Sequence, residues 1–213
     1  AVADTLRAAI SRRGEAFLAV SGGSTPGRFF AALSREELDW GKVTVTLVDE
    51  RFVPETSSRS NASLAKANLL QNAASAARFA PLFQEATSVE DGARLAESAL
   101  KTLPWPLDAA ILGMGGDGHT ASFFPGGDRL AEAMDPATPA TVLPMRAPGA
   151  GEPRITLTLP VLRDAGHLYL HIEGGEKRQV LQQALSGQGK GAGYPVRGVL
   201  QALRAPLQVY LAQ

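Results

Sequence analysis

A chain of 213 residues with 45% hydrophobic and 20% charged residues has the profile of a soluble globular protein able to bury a substantial core, which excludes a disordered chain. Its 21 acidic and 21 basic residues balance, so no net field points to nucleic acid or a membrane surface, and a small polyanion would have to be held by local basic groups. Cysteine is absent, which excludes a disulfide framework and thiolate-ligated zinc; no apolar run reaches the roughly 18 residues of a membrane span, and the opening AVADTLRAAISRRG is too charged for a signal peptide.

In chain order, Val2, Leu6, Ala9 and Ile10 fall at helical spacing, and Arg12-Arg13-Gly14 suits a helix C-terminus. Residues 15–21, EAFLAVS, form a short apolar run of strand length that breaks at Gly22-Gly23-Ser24-Thr25-Pro26, and a helical pattern with Phe29, Phe30 and Leu33 follows. Pro26 stands near the first helical position, where its missing N–H costs little, and free amides at such a helix start suit an anion. Residues 42–50, KVTVTLVDE, are the clearest strand and run into Asp49-Glu50-Arg51. A polar loop over 54–61 precedes a helix over 62–77. A second helix, over 88–103, opens Ser-Val-Glu-Asp in the manner of a capping box and stops at Pro104 and Pro106.

Residues 108–126, DAAILGMGGDGHTASFFPG, pass from a buried-strand pattern into a glycine cluster that carries His119, one of three histidines. Beyond it the patterns predict a short helix over 128–134, a strand over 141–145, a surface loop over 147–153 and a strand over 154–159. A strand over 167–173 leads through Gly174-Gly175-Glu176-Lys177 into a helix ending near Leu185. A mobile glycine-rich run over 187–193 and a last strand over 206–211 complete the chain.

Strands alternating with helices predict one α/β domain over 1–213, a mostly parallel sheet flanked by helices in a Rossmann-like three-layer architecture. In such sheets ligands sit beyond the carboxyl ends of the strands. Four strand ends carry small or charged residues: 21–25, 49–51, 113–119 and 174–177. On one sheet edge they would form a phosphate pocket with a base beside it.

Two familiar motifs fail on inspection. GMGGDG satisfies G-x-G-x-x-G, but a dinucleotide fold needs a helix opening at the third glycine, and Phe123-Phe124-Pro125-Gly126 would stop one within about two turns. Ser24 sits in a strand-turn-helix setting, yet a hydrolase nucleophile elbow requires glycine where Pro26 stands, which leaves Ser24 as a cap or an anion-binding hydroxyl. His167 and His171, four apart on one side of a strand with no further histidine or cysteine to complete a zinc set, read as packing or solvent-exposed residues; a carboxylate metal site stays open.

SGGSTP (21–26), VDERFVP (48–54), Ser60-Asn61 with ANLL (67–70), GMGGDGHTASFFPG (113–126), PRITLTLP (153–160) and the glycine-plus-lysine turn at 174–177 resemble the 6-phosphogluconolactonase family, in the family's order over nearly the whole chain. The GGDGH and DER motifs are shared with glucosamine-6-phosphate deaminases. Those enzymes typically carry a glutamate before the proline, where this chain has Phe124, and a motif resembling Asp-Glu-Tyr, where this chain has Arg51. Both departures point to the lactonase; a deaminase-type enzyme and a non-catalytic sugar-phosphate sensor are the alternatives.

The resemblance implies hydrolysis of 6-phospho-D-glucono-1,5-lactone to 6-phosphogluconate by a cytoplasmic, metal-independent enzyme without organic cofactor. It acts on a small phosphosugar lactone, with no nucleic-acid or membrane partner, as a monomer or weak homo-oligomer. On this reading His119 is the base for water and Asp117 orients it. Backbone amides of the glycine turn stabilise the oxyanion. Gly22, Gly23, Ser24 and Thr25 cradle the phosphate with Arg51 and Lys177, Arg154 is a further phosphate candidate, and Asp49 is among the substrate contacts. The family usually has a further strand ahead of a region like 2–14, so an edge strand is expected to be missing.

Overall fold

The computed structural model describes residues 1–203 and 207–212. Helix α1 (Val2–Arg13) buries Leu6 and Ala9 and ends at Gly14, whose φ of 84° is the left-handed cap that glycine adopts without a Cβ penalty. Strand β1 (Ala16–Val20) is buried at every position, as expected of a parallel strand covered on both faces. Helix α2 (Gly27–Leu33) follows the small-residue turn, with Pro26 just ahead of it.

The expected strand over 42–50 is two strands in two sheets. A 3-10 turn (Trp40–Lys42) leads into β2 (Val43–Leu47), and β3 (Asp49–Arg51) lies in a separate sheet. Val48 is the crossover: its N–H donates to Val20 O of the first sheet at 3.0 Å, and its carbonyl accepts Leu157 N of the second at 2.9 Å. The expected helix over 62–77 is also shorter. Helix α3 (Asn61–Asn68) gives way to a 3-10 turn (Asn72–Ala76) at Asn72, whose φ of 51° cannot continue a helix, and the short strand β4 (Arg78–Phe79) follows.

Helix α4 (Val89–Leu100) buries Val89, Gly92, Ala93, Ala96 and Leu100 at helical spacing. The Ser88 hydroxyl accepts Asp91 N at 3.1 Å, the N-cap half of the expected box, and donates to Asp91 Oδ2 at 2.8 Å, so the Asp91 carboxylate meets this hydroxyl in place of the Ser88 backbone N–H. Ser88→Ala is expected to cost about 1 kcal/mol of stability, read as a lower urea midpoint at unchanged slope.

Strand β5 (Ala109–Leu112) runs into the glycine turn; α5 (Leu130–Ala133), β6 (Val142–Met145) and β7 (Arg154–Leu157) follow. The expected strand over 154–159 stops at Leu157, because Thr158 opens α6 (Leu159–Arg163) with Pro160 in its first turn. Strand β8 (His167–Glu173) and helix α7 (Gly175–Ser186) match the expectation closely.

The glycine-rich run expected to be mobile forms a 3-10 turn (Gly189–Gly193). Gly191 packs so tightly on the Gln183 backbone carbonyl that a Cβ would collide there. Helix α8 (Pro195–Ala202), not anticipated, buries Val196 and Val199. The last strand, β9 (Gln208–Ala212), falls where one was expected over 206–211, although Pro206 lies outside the described residues.

The larger sheet has the order β4-β2-β1-β5-β8-β9 with every pairing parallel; β3-β7-β6 form a smaller antiparallel sheet. Strand order reverses between β1 and β5, since the chain leaves β1 toward β2 on one side and returns to β5 on the other. That is where a doubly wound sheet opens a crevice at its carboxyl edge.

Candidate active site

A cleft of about 210 Å³ opens at that switch point. Its floor is the turn after β1 (Ser21 to Pro26) and the first residues after β5 (Gly113 to Gly115). Its walls carry His119, Asp49, Arg51, Arg154 and Lys177. All four expected strand ends therefore meet at one place, with the qualification that Asp49 and Arg51 come from the antiparallel sheet.

The turn after β5 is held by its own backbone. Gly115 N donates to His119 O at 2.9 Å, Gly118 N to Gly115 O at 3.1 Å, and Thr120 Oγ1 to Gly113 O at 2.7 Å. Ser21 ties the two floor turns together, donating to Ile111 O at 2.9 Å and accepting Gly113 N at 3.1 Å. With the amides of Gly113, Gly115 and Gly118 occupied, the expected oxyanion donors narrow. Met114, which lines the cleft, keeps an amide without a protein partner among the described residues. No helix opens at Gly118, so the dinucleotide pattern lacks its context; instead Ala121 sits at a φ of 48°, a strained conformation for a residue with a side chain, on the cleft wall.

His119 is fixed on three sides. Asp117 Oδ1 accepts from Nδ1 at 2.5 Å and from the His119 amide at 3.1 Å. Gly115 lies against the Cε1–Nδ1 edge so closely that a Cβ there would overlap the ring. Phe124 underlies one face, with centroids 4.4 Å apart and planes at 34°. Because the carboxylate only accepts, Nδ1 is the nitrogen that carries the proton in the neutral ring, which leaves the lone pair of that form on Nε2. The turn is braced from behind by the unanticipated α8 segment: Val196 N donates to Gly118 O at 3.0 Å, and the Tyr194 ring fills the space a Cβ on Gly118 would need.

Three cations and one carboxylate line the cleft, a balance that suits a dianion. Lys177 Nζ lies 3.4 Å from Thr25 Oγ1, which places it over the turn after β1. Arg51 Nη1 donates to Arg59 O at 2.6 Å and to Asn61 Oδ1 at 2.8 Å, while its buried Nε has no partner. Arg154 is buried, donates to Ala150 O at 2.7 Å, lies 3.7 Å from Asp49 Oδ2 and sits 5.2 Å over the Phe124 ring. Burial pushes its guanidinium below the ordinary arginine value, and Asp49 opposes that shift. Asp49 also accepts the Ser122 hydroxyl at 2.6 Å. Arg154 and His119 thus both pack on the Phe124 ring.

Sequence reasoning gave no role of their own to Asn61 and Glu50, although both fall in motifs it singled out, and it set His171 aside as a packing or exposed residue. Asn61 is 3% exposed; its Nδ2 donates to Asp49 O at 2.9 Å, and its amide group lies where a Cβ on Gly22 would be, so the turn after β1 can approach α3 only through a glycine. Glu50, fully buried, accepts Arg51 N, Asn61 N, Ala62 N and the Ser60 hydroxyl at 2.7 to 3.1 Å. Burial pushes its carboxyl above the ordinary glutamate value, and the three amide donors pull the other way. The Ser60-Asn61 pair at the end of a polar loop was the available signal for this junction. His171 reaches the cleft wall, whereas His167 is exposed. No cluster of three His, Asp or Glu side chains suited to a metal occurs among the described residues.

Residues 1–207 match the family model described as glucosamine-6-phosphate isomerases/6-phosphogluconolactonase. A 6-phosphogluconolactonase of Mesorhizobium japonicum is 57% identical over 211 residues, covering 99% of this chain and 87% of that one. One from Pseudomonas aeruginosa is 46% identical over 209 residues, covering 98% and 86%. The crystal structure of a 6-phosphogluconolactonase from Shewanella baltica superposes with a TM-score of 0.94 at 38% identity, covering 100% of this chain and 90% of that one.

Proposed function

The chain belongs to the family of glucosamine-6-phosphate isomerases and 6-phosphogluconolactonases, and we propose that its lactonase chemistry is carried by His119 as the base for water, with Asp117 as its orienting partner. The reaction is hydrolysis of 6-phospho-D-glucono-1,5-lactone to 6-phosphogluconate in the pentose phosphate pathway. The observation that carries the mechanism is the His119–Asp117 hydrogen bond, which leaves Nε2 as the proton acceptor. Nε2 takes a proton from water as the oxygen attacks the lactone carbonyl. The tetrahedral oxyanion meets the Met114 amide; on collapse the ring C–O bond breaks and Nε2 returns the proton to the departing ring oxygen. The substrate is already an activated ester, so no covalent nucleophile is needed.

The phosphate rests on the turn from Gly22 to Thr25, held by Lys177 and Arg51. Arg154 and Asp49 shape the wall beside the reacting carbonyl. Arg51→Ala is expected to raise KM for the phosphorylated lactone by at least ~10-fold, the scale of a lost charge-assisted hydrogen bond. KM for unphosphorylated gluconolactone should change little; an equal loss on both would contradict a phosphate role.

A pH-stat assay on freshly made lactone, corrected for spontaneous hydrolysis, tests the function itself. Ammonia release from glucosamine 6-phosphate would instead assign the chain to the isomerase branch. We further take the chain as one α/β domain, cytoplasmic and monomeric or weakly self-associating. Among the described residues no helix is long and apolar enough to cross a membrane.

A further inference from the structure

His171 is the titratable side chain of the cleft wall to which the reaction above gives no task. It lies one residue beyond the Leu112–Leu170 pair, level with the start of the turn after β5. Its ring meets Phe29 of α2 edge-on, 5.9 Å between centroids, and separates the cleft from a largely apolar cavity of about 270 Å³ lined by Phe29, Tyr169 and Tyr210. The side chain is 18% exposed.

The charged and titratable groups around it come from every neighbouring element. Glu173, on its own strand, lies 3.9 Å from Nε2, and Lys177 acts on it from α7. The phenols of Tyr169 and Tyr210 and the amino group of Ala1, itself paired with Asp4 at 3.1 Å, border the adjoining cavity. Burial holds the imidazole below the ordinary histidine value; Glu173 opposes this and Lys177 adds to it. The ring is therefore a half-buried neutral donor beside the lysine that reaches Thr25.

Resting on the reading of the cleft as a phosphosugar site, we propose that His171 is a binding residue for the phosphoryl group, joining Thr25 and Lys177 on the β8 side of the cradle. A ring N–H of the imidazole donates a hydrogen bond to a phosphoryl oxygen. A dianion at that position also favours the imidazolium, so the complex holds a proton that the free protein does not. Affinity then falls as pH rises through the bound-state value of the ring, over and above the phosphate's own titration near ~6.

Calorimetric titration of the full chain with 6-phosphogluconate at pH 7, in two buffers of different ionisation enthalpy, reads affinity and proton uptake together. Gluconate serves as the unphosphorylated control. His171→Ala should weaken 6-phosphogluconate binding by about tenfold or more and lower the proton uptake. His171→Gln, which keeps a neutral donor, should recover part of the affinity and none of the proton uptake. A packing role would not move the proton count. Wild-type affinity or wild-type proton uptake in His171→Ala overturns the assignment of His171 alone. A wild-type protein that does not prefer 6-phosphogluconate to gluconate overturns the phosphosugar reading as well.

Discussion

His119→Ala is expected to lower kcat at least ~100-fold on phosphorylated lactone, with KM nearly unchanged, because a positioned base acts in the transition state and contributes little to ground-state binding. The fold should survive the change. The side chain is about a third exposed, and the hydrogen bonds that shape the turn, from Gly115 N to His119 O and from Gly118 N to Gly115 O, use backbone atoms that alanine retains. Position 119 also lies outside the positive-φ region, so alanine meets no strain there. Asp117→Asn sharpens the test. Oδ1 accepts both the His119 N–H and Nδ1–H, so an asparagine keeps its oxygen there and the tautomer with it, but it loses the charge that stabilises the imidazolium formed as Nε2 takes the proton. The rate should then fall although every ring contact with Gly115 and Phe124 remains. Unchanged kcat in a folded His119→Ala protein would remove the residue from the mechanism.

The position of the site was legible because two local signals coincide. Short apolar runs gave the parallel strands, and each ran directly into small or charged residues, as in Val20-Ser21-Gly22 and Leu112-Gly113-Met114. Partner-dependent features were not legible. The stretch 42–50 reads as one valine- and threonine-rich strand, and its division at Val48 is set by Val20 and Leu157, which are distant in sequence. The same limit hid Asn61, whose importance comes from the Gly22 turn packed against it. His171 was paired with His167 by period-two reasoning, yet α2 and its Phe29 cover one and not the other. The glycine run after α7 looked mobile because composition says nothing of the Gln183 carbonyl that requires a glycine at 191.

Glu50→Gln is expected to destabilise the protein by at least about 2 kcal/mol although it changes the side chain's volume hardly at all, since one or more buried amides lose their acceptor. Glu50 Oε1 accepts the N–H groups of Arg51 and Asn61, and Oε2 accepts Ala62 N and the Ser60 hydroxyl. In either orientation a glutamine would turn its NH2 toward at least one of those backbone N–H groups. The cradle thus fits an acceptor on both oxygens, at the start of α3 where a negative charge also meets the positive end of the helix dipole. Urea denaturation measures the loss, and a wild-type midpoint for Glu50→Gln would refute it. The functional consequence travels through two bonded residues. Asn61 holds Arg51 Nη1 through its side-chain oxygen and meets the Gly22 turn, so loosening its backbone amide releases the arginine and the turn after β1 together. KM for the phosphorylated lactone should therefore rise in the folded fraction of Glu50→Gln, while kcat, on the proposed role of His119, which these bonds do not touch, stays closer to wild type.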